Sequence, residues 1–335
     1  MDVLDLFCGC GGFSLGFEKA GFNVKFAIDQ WKGCKETFEY NHPNTEFILA
    51  DITDLDPFEF KNEVDIIIGS PPCQQFSYAN INPDIEKGMK LVLEFIKWVK
   101  ILKPKFWILE NVPGITKYLK WKINDFNIPK IKVFNCANFG VPQKRYRCFA
   151  GKYNTPNQTH IKLGGINLFG KEIKKWISVY EAIKDLLAIE PNQYETLYKE
   201  KISSEIMVNK HPPQKLETPA NTIMAGIGNH SYLDIQNHIC SIYRKSEKWD
   251  MSEREIKLNR PGLTICARQG TKNKIRKINT THKRYRRLTV RECARLQSFP
   301  DNFIFFGSIS TQYKMVGNAV PPLMASILAR EIKRE

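Results

Sequence analysis

The stretch DIIIGSPPCQQFS, residues 65–77, decides the fold. Ile66, Ile67 and Ile68 form a β-branched apolar run of strand length, which reads as a buried strand. Gly69-Ser70-Pro71-Pro72 stops that run abruptly, so Cys73 is expected just past the strand's carboxyl end. In an open α/β sheet, that edge is where ligands bind. Two consecutive prolines remove two backbone donors and fix φ, holding Cys73 on a stiff arm. Taken alone, a thiol in such a place is most often a structural residue. The company it keeps along the chain decides otherwise.

Upstream, Val3 to Phe7 is a short apolar strand ending in a glycine-dense turn, Cys8-Gly9-Cys10-Gly11-Gly12, before a helix over 13–19. Glycines there let the backbone approach a ligand closely and turn sharply into the helix. A second strand over 24–28 ends in Asp29, twenty residues after Gly9. At that spacing an acidic side chain reaches the hydroxyls of a ribose held over the turn. The glycine pattern is not GxGxxG, since position 14 is Ser, and no phosphate-binding lysine follows. A nucleoside without a pyrophosphate fits better than NAD or ATP. A third short strand over 47–49 ends in Ala50 and Asp51, which reads either as a turn or N-cap residue or as a ligand acceptor.

Downstream, residues 74–88 are polar and loop-like, and Gly88 is a candidate hinge. An amphipathic helix over 89–101 follows, with Leu91, Phe95, Trp98, Val99 and Leu102 at helical spacing. Phe106 to Leu109 is the next buried strand, and it delivers Glu110 to the same rim as Cys73. In CANFGVPQKRYRCF, residues 136–149, Gln143, Arg145 and Arg147 alternate, so an extended backbone puts all three on one face. A basic edge strand facing solvent has the same pattern.

The chain has 50 Lys and Arg against 35 Asp and Glu, a net charge of +15. The excess is uneven: residues 201–290 hold 18 basic and 7 acidic side chains, and residues 271–287 hold eight basic and no acidic ones. A polyanion is the natural partner. Nine cysteines with no CxxC pair fit free thiols in a reducing compartment better than disulfides or a metal. With no long apolar stretch and no signal-peptide pattern, a soluble, cytoplasmic protein is expected. A length of 335 residues gives room for two domains.

The rest is less uniform. Ser178-Val-Tyr-Glu181 is a capping box opening a helix to about residue 187, and Thr289-Val-Arg-Glu292 is another, opening a helix through Gln297. Residues 315–320 read as a loop carrying Asn318. Pro321-Pro322 then opens a helix with Leu323, Ile327, Leu328 and Ile332 as its apolar stripe. Between these, residues 192–285 alternate polar and basic segments with short apolar ones at 221–225 and 263–267, the pattern of a small, mostly β domain.

Together, DLFCGCGGFSLGF, Asp29, ADIT, GSPPCQQFS, ENVPG, QKRYR, RRLTVRECARLQSFPDNF and YKMVGNAVPP resemble the C5-cytosine DNA methyltransferases of the prokaryotic modification-enzyme type. The motifs come in the family's order and span nearly the whole chain, leaving only the middle unmatched. The resemblance implies a Rossmann-like α/β methyltransferase domain with a mostly parallel sheet. This domain would be built from residues 1–191 and 286–335, with a smaller target-recognition domain at 192–285. It implies that the Cys73 thiolate adds to cytosine C6, so that C5 attacks the methyl of S-adenosylmethionine. Glu110 would hold ring N3 and the exocyclic amine, Arg147 the O2 edge, and Arg145 either Glu110 or a phosphate. Phe7, Gly9, Gly11, Asp29, Asp51, Pro72, Leu91 and Asn318 would surround the cofactor; no metal is implied. Double-stranded DNA is the implied partner, with the target base flipped out under the 74–88 loop. The enzyme would act as a monomer in the cytoplasm, alongside a cognate restriction endonuclease with which it forms no stable complex.

The sequence departs from the family's pattern in places. Cys8 stands where Ala or Ser is usual, Asp29-Gln30 where Glu and an aromatic are frequent, with Trp31 one place on, and Lys87 where Arg is expected. Two other readings stay open on the residues: a tRNA methyltransferase on the same scaffold, and a non-catalytic DNA-binding regulator derived from such an enzyme. An intact Cys73 speaks against the second. A dehydrogenase is excluded, because no proton or hydride relay accompanies the glycine turn.

Overall fold

Eight strands supply the framework: β1 (Asp2–Leu6), β2 (Asn23–Asp29), β3 (Glu46–Leu49), β4 (Ile66–Gly69), β5 (Phe106–Asn111), β6 (Lys130–Asn135), β7 (Gln143–Lys144) and β8 (Tyr146–Lys152). Seven of them form one sheet in the order β3-β2-β1-β4-β5-β8-β6. The pairings from β3 through β5 are parallel, and β8 runs antiparallel between β5 and β6. The chain therefore steps outward from β1 in both directions, which makes the β1/β4 border the switch point where a ligand crevice opens. The computed structural model describes residues 1–78, 80–122, 126–166, 170, 172–186 and 288–332, and strands at 231–234, 239–242, 262–263 and 285–287.

The described α-helices are α1 (Gly12–Lys19), α2 (Lys32–Asn41), α3 (Ile85–Leu102), α4 (Thr116–Lys122), α5 (Val179–Ile183), α6 (Val290–Leu296), α7 (Ile309–Asn318) and α8 (Pro322–Ile332). Strand alternation sorts β4 between two layers. Ile66 and Ile68 pack with Phe13 and Phe17 of α1 and Met324 and Leu328 of α8, while Ile67 packs with Val92, Phe95 and Trp98 of α3. All three isoleucines are fully buried, and each such side chain contributes about 1.5–3 kcal/mol. The last helix thus packs on the first, beside the glycine turn.

Helix boundaries differ from the sequence reading in instructive ways. Helix α3 begins at Ile85, because the Asp84 carboxylate accepts the Lys87 N–H at 3.0 Å and caps it. Gly88, the candidate hinge, consequently lies in the first turn of α3, where a Cβ would meet that of Gln75 at 2.7 Å, so close packing also calls for glycine there. Residues 315–318, read as loop, are the last turn of α7, which Ser308 caps by accepting the Thr311 N–H. The Ser178 box forms as expected, but its helix stops at Ile183. Glu110 and Asn111 are the end of β5 itself.

In the middle of the chain, 231–234 pairs antiparallel with both 239–242 and 285–287, and 262–263 pairs parallel with β7. The assignment of 192–285 to a separate domain, with its apolar segments at 221–225 and 263–267, otherwise lies outside the described residues. Among the described residues no helix is long and apolar enough to cross a membrane.

Candidate active site

The carboxyl ends of β1, β2, β4 and β5 meet at one edge of the sheet, and most of the residues singled out in the sequence stand there. At β4, Gly69 is paired with Leu109 of β5, so Pro71-Pro72-Cys73 leaves the sheet directly beside Glu110. Asn111 joins the two: its Nδ2 donates to the Pro71 carbonyl at 3.0 Å. Cys73 has φ −95° and ψ −1°, in the sparsely allowed bridge region where active-site residues are often found, and it opens the short turn Gln74–Phe76. It is half-buried, whereas the other six described cysteines are buried.

Glu110 is 5% exposed. Burial pushes its carboxyl above the ordinary range, against the pull of the Arg147 and then the Arg145 guanidinium. Arg147 Nε lies 2.8 Å from Glu110 Oε1, yet the oxygen has no well-aligned hydrogen bond. The contact fixes the orientation of the carboxyl. Gln143, Arg145 and Arg147 are all buried, while Lys144 and Tyr146 between them are half-buried and exposed, so the alternation holds and the solvent-facing alternative does not. The guanidinium seated on Glu110 is that of Arg147. Arg145 Nη2 donates to the carbonyls of Gly317 and Ala319, at 3.1 and 2.9 Å. At 1% exposure it is closed off from any phosphate in this conformation.

On the other side of the rim, the turn after β1 uses left-handed backbone at Phe7, Gly9 and Gly11 (φ +60°, +56° and +88°). A Cβ on Gly9 would meet no atom within 4 Å, so the space over it is open to a ligand; at Gly11 it would collide with the His42 ring. The Asp29 carboxylate accepts the Gly9 N–H at 2.8 Å and the Trp31 N–H at 2.7 Å, which fixes the turn against the end of β2. Asp51 caps the turn at 52–54 with Oδ1 alone, by accepting the Thr53 N–H and hydroxyl, and leaves Oδ2 unengaged. Leu91 is half-buried at the edge of the α3 core face, and Asn318 is exposed at the end of α7. An open glycine cradle flanked by acceptors suits the adenosine part of S-adenosylmethionine. Among the described residues no group of His, Cys, Asp and Glu is placed to hold a metal ion.

Some of the supports were not singled out in the sequence. Asn111 sits within the ENVPG motif, and its position after Glu110 was the available signal. Ser70 Oγ donates to the Phe7 carbonyl at 3.2 Å, tying the turn after β4 to the turn after β1. Lys314 Nζ stands 4.1 Å from the centre of the Trp31 ring; burial pushes the Asp29 carboxyl up, against the Trp31 and Gly9 N–H groups and, least, the Lys314 charge. Lys314 and Trp31 are 283 positions apart, and no local pattern links them.

The family model of the C-5 cytosine-specific DNA methylases matches residues 1–334. The type II methyltransferase M.MthTI of Methanothermobacter thermautotrophicus is 36% identical over 357 aligned positions, covering 100% of this chain and 98% of the relative. M.NgoPII of Neisseria gonorrhoeae is 32% identical, with 100% and 96% covered. In fold, the chain is similar to a candidate DNA modification methyltransferase from an E. coli prophage, with a TM-score of 0.62, 23% identity and both chains fully covered. It is also similar to the S. pombe Dnmt2 methyltransferase, with a TM-score of 0.57, 17% identity and 100% and 98% covered. The chain belongs to the C-5 cytosine-specific DNA methylase family and is a DNA cytosine-5-methyltransferase.

Proposed function

We propose that the enzyme methylates C5 of a cytosine flipped out of a specific duplex sequence, with S-adenosylmethionine as methyl donor, as the modification partner of a restriction nuclease that shares its site. The observation that carries this reading is the setting of Glu110: a buried carboxyl at the end of β5 beside the Cys73 arm, oriented by the Arg147 guanidinium 2.8 Å from Oε1 and pushed above its ordinary range by burial.

Cytosine C5 is a weak nucleophile, and the protein's task is to activate the ring. As Cys73 Sγ bonds to C6, the C5–C6 π electrons shift toward C5 and the ring's N3 side, and a protonated Glu110 donates to N3 as that charge develops. Arg147 then stabilises the carboxylate that remains. S-adenosylmethionine supplies the electrophilic methyl group. Loss of the C5 proton and departure of the thiolate, with the N3 proton returned to Glu110, restore the aromatic ring. Phe7, Gly9, Gly11, Asp29, Asp51, Pro72, Leu91 and Asn318 would hold the donor, with Asp29 and Asp51 offering acceptors to ribose and adenine. Residues 192–285 would read the base edges, with Lys and Arg on the phosphates. The enzyme would work as a monomer in the cytoplasm, forming no stable complex with the nuclease.

Duplex DNA carrying 5-fluorocytosine at the target, mixed with enzyme and cofactor, should trap a covalent complex that survives denaturing electrophoresis, because fluorine at C5 cannot leave as a proton does. Cys73→Ala should abolish it; an adduct in the alanine variant removes Cys73 as nucleophile. Transferring 192–285 into a relative should transfer sequence preference, and an unchanged methylation pattern removes the recognition assignment.

A further inference from the structure

We infer that Arg145 is a positioning residue that couples the cofactor side of the site to the cytosine side, and that it makes no contact with DNA. The inference rests on the proposed role of Glu110. A helix leaves its last carbonyls short of intrahelical partners, and around the end of α7, where only Met315 O also accepts the Ala319 N–H, carbonyls accept side chains from three other parts of the fold. Met315 O accepts Cys10 Sγ, from the glycine turn, at 3.7 Å. Val316 O accepts Gln297 Nε2 at 2.8 Å. Gly317 O and Ala319 O both accept Arg145 Nη2, at 3.1 and 2.9 Å. The two carbonyls held by Arg145 flank Asn318, and a cation there also opposes the negative end of the helix.

The same guanidinium is felt on the other side of the site. Arg145 pulls the Glu110 carboxyl down, second only to Arg147 among the charges that do so. Arg147, two residues along the same extended segment, makes the contact with Glu110. A shift of the α7 end on cofactor binding would therefore pull, through Arg145, on the segment that carries Arg147, whose guanidinium orients Glu110, and a cytosine gripping Glu110 would pull it back. Coupling of this kind is reciprocal and typically amounts to 5–150-fold in affinity.

The test measures duplex affinity by fluorescence anisotropy with and without S-adenosylhomocysteine, and S-adenosylhomocysteine affinity with and without duplex, for wild type, Arg145→Met, Arg145→Lys and Gln297→Ala. The wild-type ratio should be on the order of tenfold. It should fall close to one in Arg145→Met and recover in part in Arg145→Lys, which also serves if the methionine variant does not fold. Gln297→Ala loosens the same helix end without touching Glu110 and should keep the ratio. An unchanged ratio in both Arg145 variants, or an equal loss in Gln297→Ala, overturns the inference. Failure of the wild type to methylate cytosine would instead sink the underlying reading of the site.

Discussion

The side-chain amide of Asn111 is used at both ends: Nδ2 donates to the Pro71 carbonyl at 3.0 Å, and Oδ1 accepts the Val112 N–H at 2.9 Å. Pro71 lies two residues before Cys73, and Asn111 directly follows Glu110, so one fully buried side chain sets the spacing between the Cys73 arm and the carboxyl. Asn111→Ala should lower kcat by about 100-fold, the scale expected when a reacting group is displaced by an ångström. Affinity for S-adenosylhomocysteine should stay within a factor of two or so, because the Gly9 turn is held from the end of β2 by Asp29. The lost buried hydrogen bonds should cost about 1–3 kcal/mol of stability. Single-turnover methylation and denaturant unfolding measure both effects, and an unaltered kcat would separate Asn111 from the chemistry.

Asp5, on β1, is fully buried, and its carboxyl is pushed up to about 8 by burial against the Ser14 hydroxyl bond to Oδ2 at 2.6 Å, with Asp29 adding to the rise. An acid whose folded pKa exceeds its unfolded value holds more protons when folded, so its contribution to stability falls as pH rises from about 4 to about 8. Asp5→Asn cannot ionise. The melting temperature of wild type relative to this variant should therefore fall steadily from pH 5 to about pH 8 at fixed salt and level off above it. Parallel curves across that range would mean that Asp5 titrates normally.

How far each feature was legible depends on whether its cause is local. Gly9, Asp29, Cys73 and Glu110 could be placed because each follows an apolar run cut short by turn chemistry or charge. The start of α3 was hidden: Asp84 caps it from within a polar stretch that resembles loop, and the close packing of Gly88 is against Gln75, outside the helix. The end of α7 was missed for a similar reason, since Gly317-Asn318-Ala319 resembles a turn, while Tyr313, Met315 and Val316 are buried by tertiary contacts. Alternation revealed that Arg145 and Arg147 share a face, but it carries no information on which neighbour each reaches. That division depends on α7, more than 160 residues away.

The turn after Cys73 is knit by its own side chains. Asn80 Nδ2 donates to the Gln74 carbonyl at 3.2 Å and to Gln75 Oε1 at 3.1 Å, and the Asp84 N–H reaches Gln75 Oε1 at 2.8 Å. Tyr78 and Ile81 project from this scaffold at 85% and 90% exposure. Neither supports the core, so Tyr78→Ala and Ile81→Ala should change stability by less than about 0.5 kcal/mol. If these side chains enter the duplex as the base leaves, methylation of a normally paired cytosine should fall while a mispaired target, cheaper to extrude, is methylated at close to the wild-type rate. Equal losses on paired and mispaired substrates would assign the loop a different task.

Gly16 sets two effects of opposite sign against each other. Alanine in the middle of α1 gains about 1 kcal/mol of helix propensity over glycine. Against this, a Cβ at Gly16 would lie 2.6 Å from the Pro322 carbonyl and 2.7 Å from the Ser326 nitrogen, and would overlap the Ala325 methyl, all on α8. Two of those neighbours are backbone and cannot swing aside, so α8 must move, and overpacking of this kind costs about 1–3 kcal/mol. Sterics should win, leaving Gly16→Ala less stable than wild type in denaturant unfolding. Adding Ala325→Gly removes one of the three contacts and should recover only part of the loss, because the Pro322 carbonyl stays where it is. A positive coupling energy in that double-mutant cycle places the strain at the α1–α8 contact. If Gly16→Ala is instead stabilising, the two helices do not approach as closely as described, and the glycine turn that opens α1 lacks the support of α8.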